Sequence, residues 1–221
     1  MLVSHDPPFM FVHIDKAAGS NIQHALRPFA SHSEGGRWRR RLGWLGPLNR
    51  WGGLHRQVRF SEHARAEDAR RCLPTETYAG LFKFAFVRNP WDRLVSRHAF
   101  LLRKKDHSQN RLVNALGSFE DYLRWEIQGS KIHSRMRHQH SYVLGPGGES
   151  IVDFIGYFER IEDDFAEVSR RIGVPAQLRP VQSSHPRRDY RSCYTPETRE
   201  LVAQAYAQDI ALFGYTFDGL G

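Results

Sequence analysis

Two apolar runs, each followed by a break and a helix-like pattern, are the clearest feature of the chain. The first run is Phe9 to Ile14, and apolar positions recur at helical spacing from Ile22 onward. The second is Phe82 to Val87, which Asn89 and Pro90 end. Proline has no N–H to donate and keeps the residue before it out of the helical region, so a strand stops there and a helix follows. The pattern predicts two strand–turn–helix units.

Further elements extend this alternation. A third strand is predicted over 151–158, and helices are predicted over 64–72, from Phe119 behind an N-capping Ser118, and over 196–212. Residues 103–116 are interpreted as a polar connector. Strands that alternate with helices are typical of an α/β fold with a central parallel sheet flanked by helices. At 221 residues, a single domain over 1–221 is expected, with a basic, tryptophan-containing insert at about 30–60.

Composition narrows the class of partner only a little. The net charge is +8 and there are twelve histidines, which fits anionic ligands but equally fits nucleic acid or an anionic membrane surface. Cys72 and Cys193 are the only cysteines, which favours a reducing compartment. The run from Phe9 to Ile14 is too short for a signal peptide or a membrane span, so we expect a soluble chain.

The turn after the first strand has the composition of an anion site. Asp15 to Asn21 contains small residues around Lys16 and leads into a helix. Small residues let backbone N–H groups approach an anion, and a helix N-terminus adds a favourable partial charge. The turn is not a nucleotide-triphosphate P-loop, because Lys16 precedes Gly19 instead of following it.

The second unit places a cation at the carboxyl end of its strand. Arg88 follows Val87 directly, and Ser96 lies in the helix beyond it. Ligands of open α/β sheets bind at this edge, and a guanidinium can make two parallel bonds to a phosphate. The structural alternative is that Arg88 pairs with Asp92 and that Ser96 bonds its own backbone. Arg93 is interpreted as structural, pairing with an acidic neighbour.

Together these segments resemble the sulfotransferase superfamily, most closely the carbohydrate-type branch, sulfotransferase family 2, with heparan sulfate 2-O-sulfotransferase and small bacterial relatives. The first motif, F-x-H-I-x-K-[TS]-A-G-[TS]-S, is matched by Phe11, His13, Ile14, Lys16, Ala18, Gly19 and Ser20. Ala17 and Asn21 depart from it, because hydroxyl residues are usual there. The second motif, F-x-F-V-R-N-P-[WY]-D-R-L-x-S, is matched throughout by residues 84–96. The similarity continues through Gln139 and 152–159 to the C-terminal segment.

The resemblance implies a single P-loop-like domain that transfers a sulfuryl group from 3′-phosphoadenosine 5′-phosphosulfate (PAPS) to an acceptor hydroxyl on a carbohydrate or glycoconjugate. The implied catalytic pair is Lys16, which stabilises the leaving phosphate, and a histidine base. The family places that base between the two motifs, where His63 fits and His55 is the runner-up. The implied donor-binding residues are Lys16, Ala17, Ala18, Gly19, Ser20, Asn21, Arg88, Ser96, Ser184 and Arg191.

The remaining expectations concern partners and location. The acceptor is expected to be a carbohydrate or another hydroxyl compound, for which the basic charge allows acidic groups, and no nucleic acid partner is expected. Eukaryotic Golgi members carry an anchor, and no apolar run here is long enough for one, so the resemblance implies either a bacterial cytoplasmic enzyme or a shortened chain. No metal is expected: His138 and His140 lack a carboxylate or cysteine ligand nearby in sequence, and this segment is interpreted as facing the acceptor.

Two alternatives stay open on the sequence. One is a P-loop-type kinase, which shares the α/β scaffold but would need the missing glycine–lysine order and a magnesium-binding aspartate. The other is a noncatalytic module that binds an anionic polymer through the insert. Turnover with PAPS distinguishes both from a sulfotransferase.

Overall fold

The computed structural model describes residues 1–30, 60–129, 138–179 and 189–221. Its strands are β1 (Leu2–His5), β2 (Pro8–Val12), β3 (Phe82–Val87), β4 (Phe154–Tyr157), β5 (Tyr215–Thr216) and β6 (Gly219–Leu220). Its α-helices are α1 (Gly19–Leu26), α2 (Ala66–Cys72), α3 (Thr75–Gly80), α4 (Pro90–Arg103), α5 (Asn110–Leu116), α6 (Phe119–Arg124), α7 (His140–Val143), α8 (Ile161–Ile172), α9 (Pro196–Ala205) and α10 (Ala207–Phe213).

A four-stranded sheet in the order β1-β2-β3-β4 organises these elements. β2, β3 and β4 pair in parallel, whereas β1 is antiparallel to β2. The expected α/β class with a central, mostly parallel sheet is therefore confirmed. Because β2 and β3 run in parallel with Val12 opposite Ala85, both strands end at the same edge of the sheet.

The chain folds into two compact units, and the first comprises 1–87 and 141–180. Its core is built on the phenylalanines of β2 and β3, and the Phe11 and Phe84 rings stack at 5.3 Å. Ile22 and Leu26 of α1 pack against this layer, as does Phe165 of α8. These strands are buried on both faces, which explains why they are mostly apolar instead of alternating. Lys83 of β3 is the exception, and its buried ammonium lies 2.8 Å from Oδ2 of Asp153.

The second unit comprises 88–140 and 181–221 and has its own core. That core gathers one face of α4 with residues of α5, α6 and α9: Trp91, Leu94, Leu101, Val113, Tyr122, Leu123, Val202 and Tyr206. Trp91 is also anchored by polar contacts, because its Nε1 donates to the Arg199 carbonyl at 3.1 Å and its own carbonyl accepts from the Tyr194 hydroxyl at 2.9 Å.

Several boundaries differ from the sequence expectations. The connector predicted over 103–116 contains helix α5, and the final helix predicted over 196–212 is two helices divided at Tyr206. Neither glycine nor proline occurs at that division, so the local sequence does not predict where the first helix ends. The strand predicted over 151–158 is shorter, at Phe154–Tyr157. The predicted N-cap Ser118 is confirmed, because it accepts from the Asp121 amide. Gly214 ends α10 at φ 67°.

Among the residues that the structure describes, no helix has the length and apolar character needed to cross a membrane.

Candidate active site

The turn between β2 and α1 contains two residues in the left-handed region. Lys16 has φ 64° and Ala18 has φ 61°, and neither is a glycine. A non-glycine residue costs roughly 1–2 kcal/mol in this region because its Cβ approaches the following carbonyl oxygen. Backbone strain of this kind concentrates at functional sites, where the surrounding structure holds it in place. The strain therefore marks the same turn that the sequence marks as an anion site.

Helix α1 begins inside this turn. Gly19 and Ser20 occupy its first turn, where backbone N–H groups have no acceptor within the helix, and no acidic residue lies there to neutralise the helix dipole. Ala17 is buried, whereas Ser20 is exposed. The structure thus collects Lys16 and the small residues of the motif at one helix N-terminus.

Asn21, one of the predicted donor-binding residues, is bonded to the main chain of Arg179. Its Nδ2 donates to the Arg179 carbonyl at 3.0 Å, and its Oδ1 accepts from the Arg179 amide at 3.1 Å. Both ends of the carboxamide are therefore used within the protein. Asn21 ties the start of α1 to the chain that follows α8.

Gly19 makes room for the ring of His13. A Cβ at position 19 would lie 1.8 Å from Cδ2 of His13, so only glycine is compatible with this arrangement. His13 is 3% exposed, and its ring stacks on Phe11 at 5.9 Å. The first residue of α1 therefore rests directly against a buried histidine.

The same histidine contacts the predicted base. The rings of His13 and His63 meet edge to face with centroids 4.8 Å apart, and Nδ1 of His63 lies 3.2 Å from the carbonyl oxygen of His13. A carbonyl oxygen only accepts hydrogen bonds, so Nδ1 carries the proton. The neutral ring of His63 then presents its lone pair at Nε2, which is the form that a general base requires.

His13 itself is unsuited to proton transfer near neutral pH. Burial, followed by the nearby charge of His63, lowers the pKa of His13 to about 3. Its Nδ1 lies 3.4 Å from Oε1 of the exposed Glu62, although without hydrogen-bond geometry. The sequence leaves open whether Glu62 orients an imidazole; the structure places its carboxylate beside His13.

Arg88 stands at the end of β3 in a buried ion pair. Its residue exposure is 8%, and its Nε and one terminal nitrogen each lie 2.9 Å from Oδ2 of Asp92. This is the pairing named as the structural alternative, so the phosphate role of Arg88 stays a prediction. Asn89 caps α4 by accepting from the Trp91 amide, and Ser96 lies half-buried in the second turn of that helix.

Gln139 contacts the backbone of Arg88 and is missing from the sequence-based site. Its Oε1 accepts from the Arg88 amide at 2.9 Å, and its Nε2 donates to the Arg88 carbonyl at 2.8 Å. Because 51 residues separate the two positions, no local pattern reveals the pair. Gln139 is fully buried, whereas His138 and His140 on either side are half-buried. That this segment faces an acceptor stays a prediction.

Comparison with known proteins fits this arrangement. Residues 1–216 match the model of the sulfotransferase family. The chain belongs to the sulfotransferase family. It is 26% identical over 165 residues to carbohydrate sulfotransferase 14 of Danio rerio, covering 61% of this chain and 44% of that protein. It is 31% identical over 103 residues to an uncharacterized protein of Archaeoglobus fulgidus, covering 46% of this chain and 75% of that protein.

The chain thus spans less than half the length of its zebrafish relative. No solved structure matches the chain. Membership of the family favours sulfuryl transfer over the kinase and the polymer-binding module that the sequence left open.

The remaining predicted residues are Arg191 and Ser184, expected to bind the donor, and His55, the alternative base. Arg191 is bonded to two carboxylates, with Nη1 3.2 Å from Oδ1 of Asp189 and Nε 3.2 Å from Oδ1 of Asp218. Ser184, His55 and the insert at about 30–60, apart from its two terminal residues, lie outside the described residues.

A carboxylate does lie beside His138 and His140, contrary to the sequence argument against a metal. It comes from Asp209, and ligand atoms of the three residues lie within 4.8 Å of one another. The oxygens of Asp209 already accept hydrogen bonds from the Gln139 amide and from the amide and Nδ1 of His140. These contacts account for the buried carboxylate as a hydrogen-bond centre.

Proposed function

We propose that this protein transfers the sulfuryl group of PAPS to a hydroxyl of a carbohydrate acceptor. The observation that carries the proposal is the strained Lys16 turn at the N-terminus of α1, in a chain whose residues 1–216 match the sulfotransferase family. A cationic turn with backbone amides at a helix N-terminus fits the 5′-phosphosulfate end of that donor. The carbohydrate acceptor is supported by the name of the zebrafish relative.

In the proposed reaction the donor supplies a sulfur centre with a phosphate leaving group. His63 accepts the acceptor's hydroxyl proton at Nε2 while the acceptor oxygen bonds to sulfur. The bond from sulfur to the bridging phosphate oxygen breaks, and its electron pair stays on the phosphate. Lys16 stabilises that developing charge, a contribution of the kind that costs about 10²–10³ in kcat when one donor is removed.

Arg88 and Ser96 are assigned to the 3′-phosphate of the donor. Asp92, in the first turn of α4, fixes the direction of the Arg88 guanidinium, which suits a group that must meet a phosphate with defined geometry. The small residues 17–20 are assigned to the 5′-phosphate through their backbone, and Asn21, which bonds Arg179, stays assigned to donor binding beside them. Ser184 and Arg191 also remain assigned to donor binding.

The test is transfer of labelled sulfate from PAPS to a panel of acidic and neutral polysaccharides. Wild-type protein should label at least one acceptor, and Lys16→Ala should lose about a hundredfold or more of that rate. Lys104→Ala is the matched control, because its side chain is 51% exposed and lies outside the site. If PAPS labels no acceptor and adenosine 3′,5′-bisphosphate (PAP) does not raise the melting temperature, the proposal is wrong.

A further inference from the structure

The carboxamide of Gln139 holds the main chain of Arg88 at two points. The Arg88 amide donates to Oε1 at 2.9 Å, and the Arg88 carbonyl accepts from Nε2 at 2.8 Å. Gln139 is 0% exposed, so both groups have left water, and losing either bond leaves a buried polar group unsatisfied. The position of the arginine's backbone therefore depends on a side chain 51 residues away.

Asp209 holds Gln139 in turn. Its Oδ2 accepts from the Gln139 amide at 2.8 Å, and its Oδ1 accepts from the His140 amide at 2.9 Å and from Nδ1 of His140 at 2.5 Å. Burial alone would raise the pKa of Asp209, but the bonds from His140 and Gln139 outweigh it and keep the pKa below its usual range. An ionised, fully buried carboxylate thus fixes both residues.

These contacts form one continuous path. It runs from Asp209 to the backbone of Gln139, through the Gln139 side chain to the backbone of Arg88, and along the Arg88 side chain to Asp92. The arginine is consequently fixed at its main chain and at its guanidinium by separate partners. A shift of about 1 Å at a binding group is enough to cost a hundredfold in function, so such double support has a measurable effect.

We propose that Gln139 is a positioning residue for Arg88, that Asp209 fixes Gln139, and that this pair sets the preference for a nucleotide bearing a 3′-phosphate. The inference deepens the proposed function and rests on it, because it assumes that Arg88 binds that phosphate. It adds that selectivity depends on Gln139, which contacts the arginine, and on Asp209, which contacts Gln139, neither of which is assigned to the nucleotide.

The experiment compares dissociation constants for PAP and for AMP, which lacks the 3′-phosphate, in wild-type protein and in Gln139→Leu. The dissociation constant for AMP divided by that for PAP should fall at least tenfold in the variant, while AMP affinity stays within about twofold. A merely structural loss would weaken both nucleotides alike. Gln204→Leu is the matched control. That glutamine is exposed, and among the described residues its side chain bonds only Glu200.

Gln139→Glu supplies a second readout and guards against a leucine variant that does not fold. A protonated carboxyl presents one acceptor and one donor, as the carboxamide does, whereas a carboxylate only accepts and faces the Arg88 carbonyl. Burial raises the pKa of a carboxyl, so protonation falls within the usable pH range. Selectivity of this variant, relative to wild type at the same pH, should recover as the pH is lowered.

The outcomes separate the two proposals. If wild-type protein binds PAP and AMP equally well, the assignment of Arg88 to the 3′-phosphate fails. If wild type is selective and Gln139→Leu keeps the same ratio, or Gln139→Glu shows no recovery in acid, the positioning role fails by itself. Asp209→Asn should lower the ratio in wild type but add little in a Gln139→Leu background, because residues on one path are not additive.

Discussion

At the scale of single residues, His13 and His63 show how environment gives two neighbouring histidines different chemical properties. His13 is buried with a pKa of about 3, whereas His63 is half-buried and bonded through Nδ1 to a carbonyl. The first ring packs against Gly19 and the second presents Nε2. His13 therefore stays neutral and packs in the interior, whereas His63 has the tautomer that the proposed general base requires.

Replacing His63 should separate turnover from donor binding. His63→Ala is expected to lower kcat by roughly a hundredfold to ten-thousandfold, the usual range for loss of a general base, with PAP affinity almost unchanged. Steady-state transfer assays and PAP titrations measure the two effects. His24→Ala, on the exposed face of α1, should change neither. Loss of turnover in His55→Ala with an active His63→Ala would move the base to position 55.

His13 should make stability fall in mild acid. The pKa of His13 is about 3 in the folded chain and 6.5 in the unfolded chain. Between these pH values the unfolded chain binds a proton at this position and the folded chain does not. Stability is therefore lost as the pH falls from 6.5 toward 3, with a slope approaching about 1.4 kcal/mol per pH unit. Urea unfolding of wild type and His13→Gln between pH 7 and pH 5 measures the difference; equal slopes would contradict this account.

At the scale of elements, local signals account for what the sequence predicted well. The units β2–turn–α1 and β3–Pro90–α4 were predicted because an apolar run, a proline or small-residue turn and a helical period all lie within a few residues. The contacts of Gln139 with Arg88 and of Asp209 with Gln139 join positions 51 and 70 residues apart. Such contacts depend on the whole chain path, so no window of sequence contains them.

The start of α1 can be tested with two glycines in different surroundings. Gly19→Ala forces a methyl group into the His13 ring, and overpacking of this kind costs about 1–3 kcal/mol of unfolding free energy. Gly80→Ala, at the end of α3, meets no atom within 4 Å and should stay within about 0.5 kcal/mol of wild type. Denaturant unfolding measures both, and similar stability for the two variants would refute the packing of His13 against Gly19.

At the scale of the whole molecule, the described residues form two compact units, each with its own apolar core. The phenylalanines of β2 and β3 dominate the first core, and Trp91 with Tyr122 and Tyr206 lies in the second. The expectation of one domain over 1–221 stays a prediction, as does the role of the basic insert. The net charge of +8 belongs to the chain as a whole and acts at a distance.

That charge should make the use of an acidic acceptor sensitive to salt. Raising ionic strength from about 0.01 M to about 0.15 M shortens the Debye length from about 30 Å to about 8 Å, which screens attraction to a polyanion. The KM of an acidic polysaccharide should rise several-fold over this range, while that of a neutral one changes little. Deleting residues 37–51 should abolish the difference if the insert supplies the attraction; unchanged acceptor kinetics would remove that role.

The hydrogen bond from His63 to the carbonyl of His13 has a consequence for how this protein tolerates mutation. An orienting carboxylate disappears with a single codon change, but a main-chain oxygen is present whichever amino acid occupies position 13. Substitution there can displace the oxygen through the fit against Gly19, yet it cannot delete it. The tautomer of His63 thus depends on the position of the main chain at residue 13. A mutation can change that tautomer only by displacing the backbone.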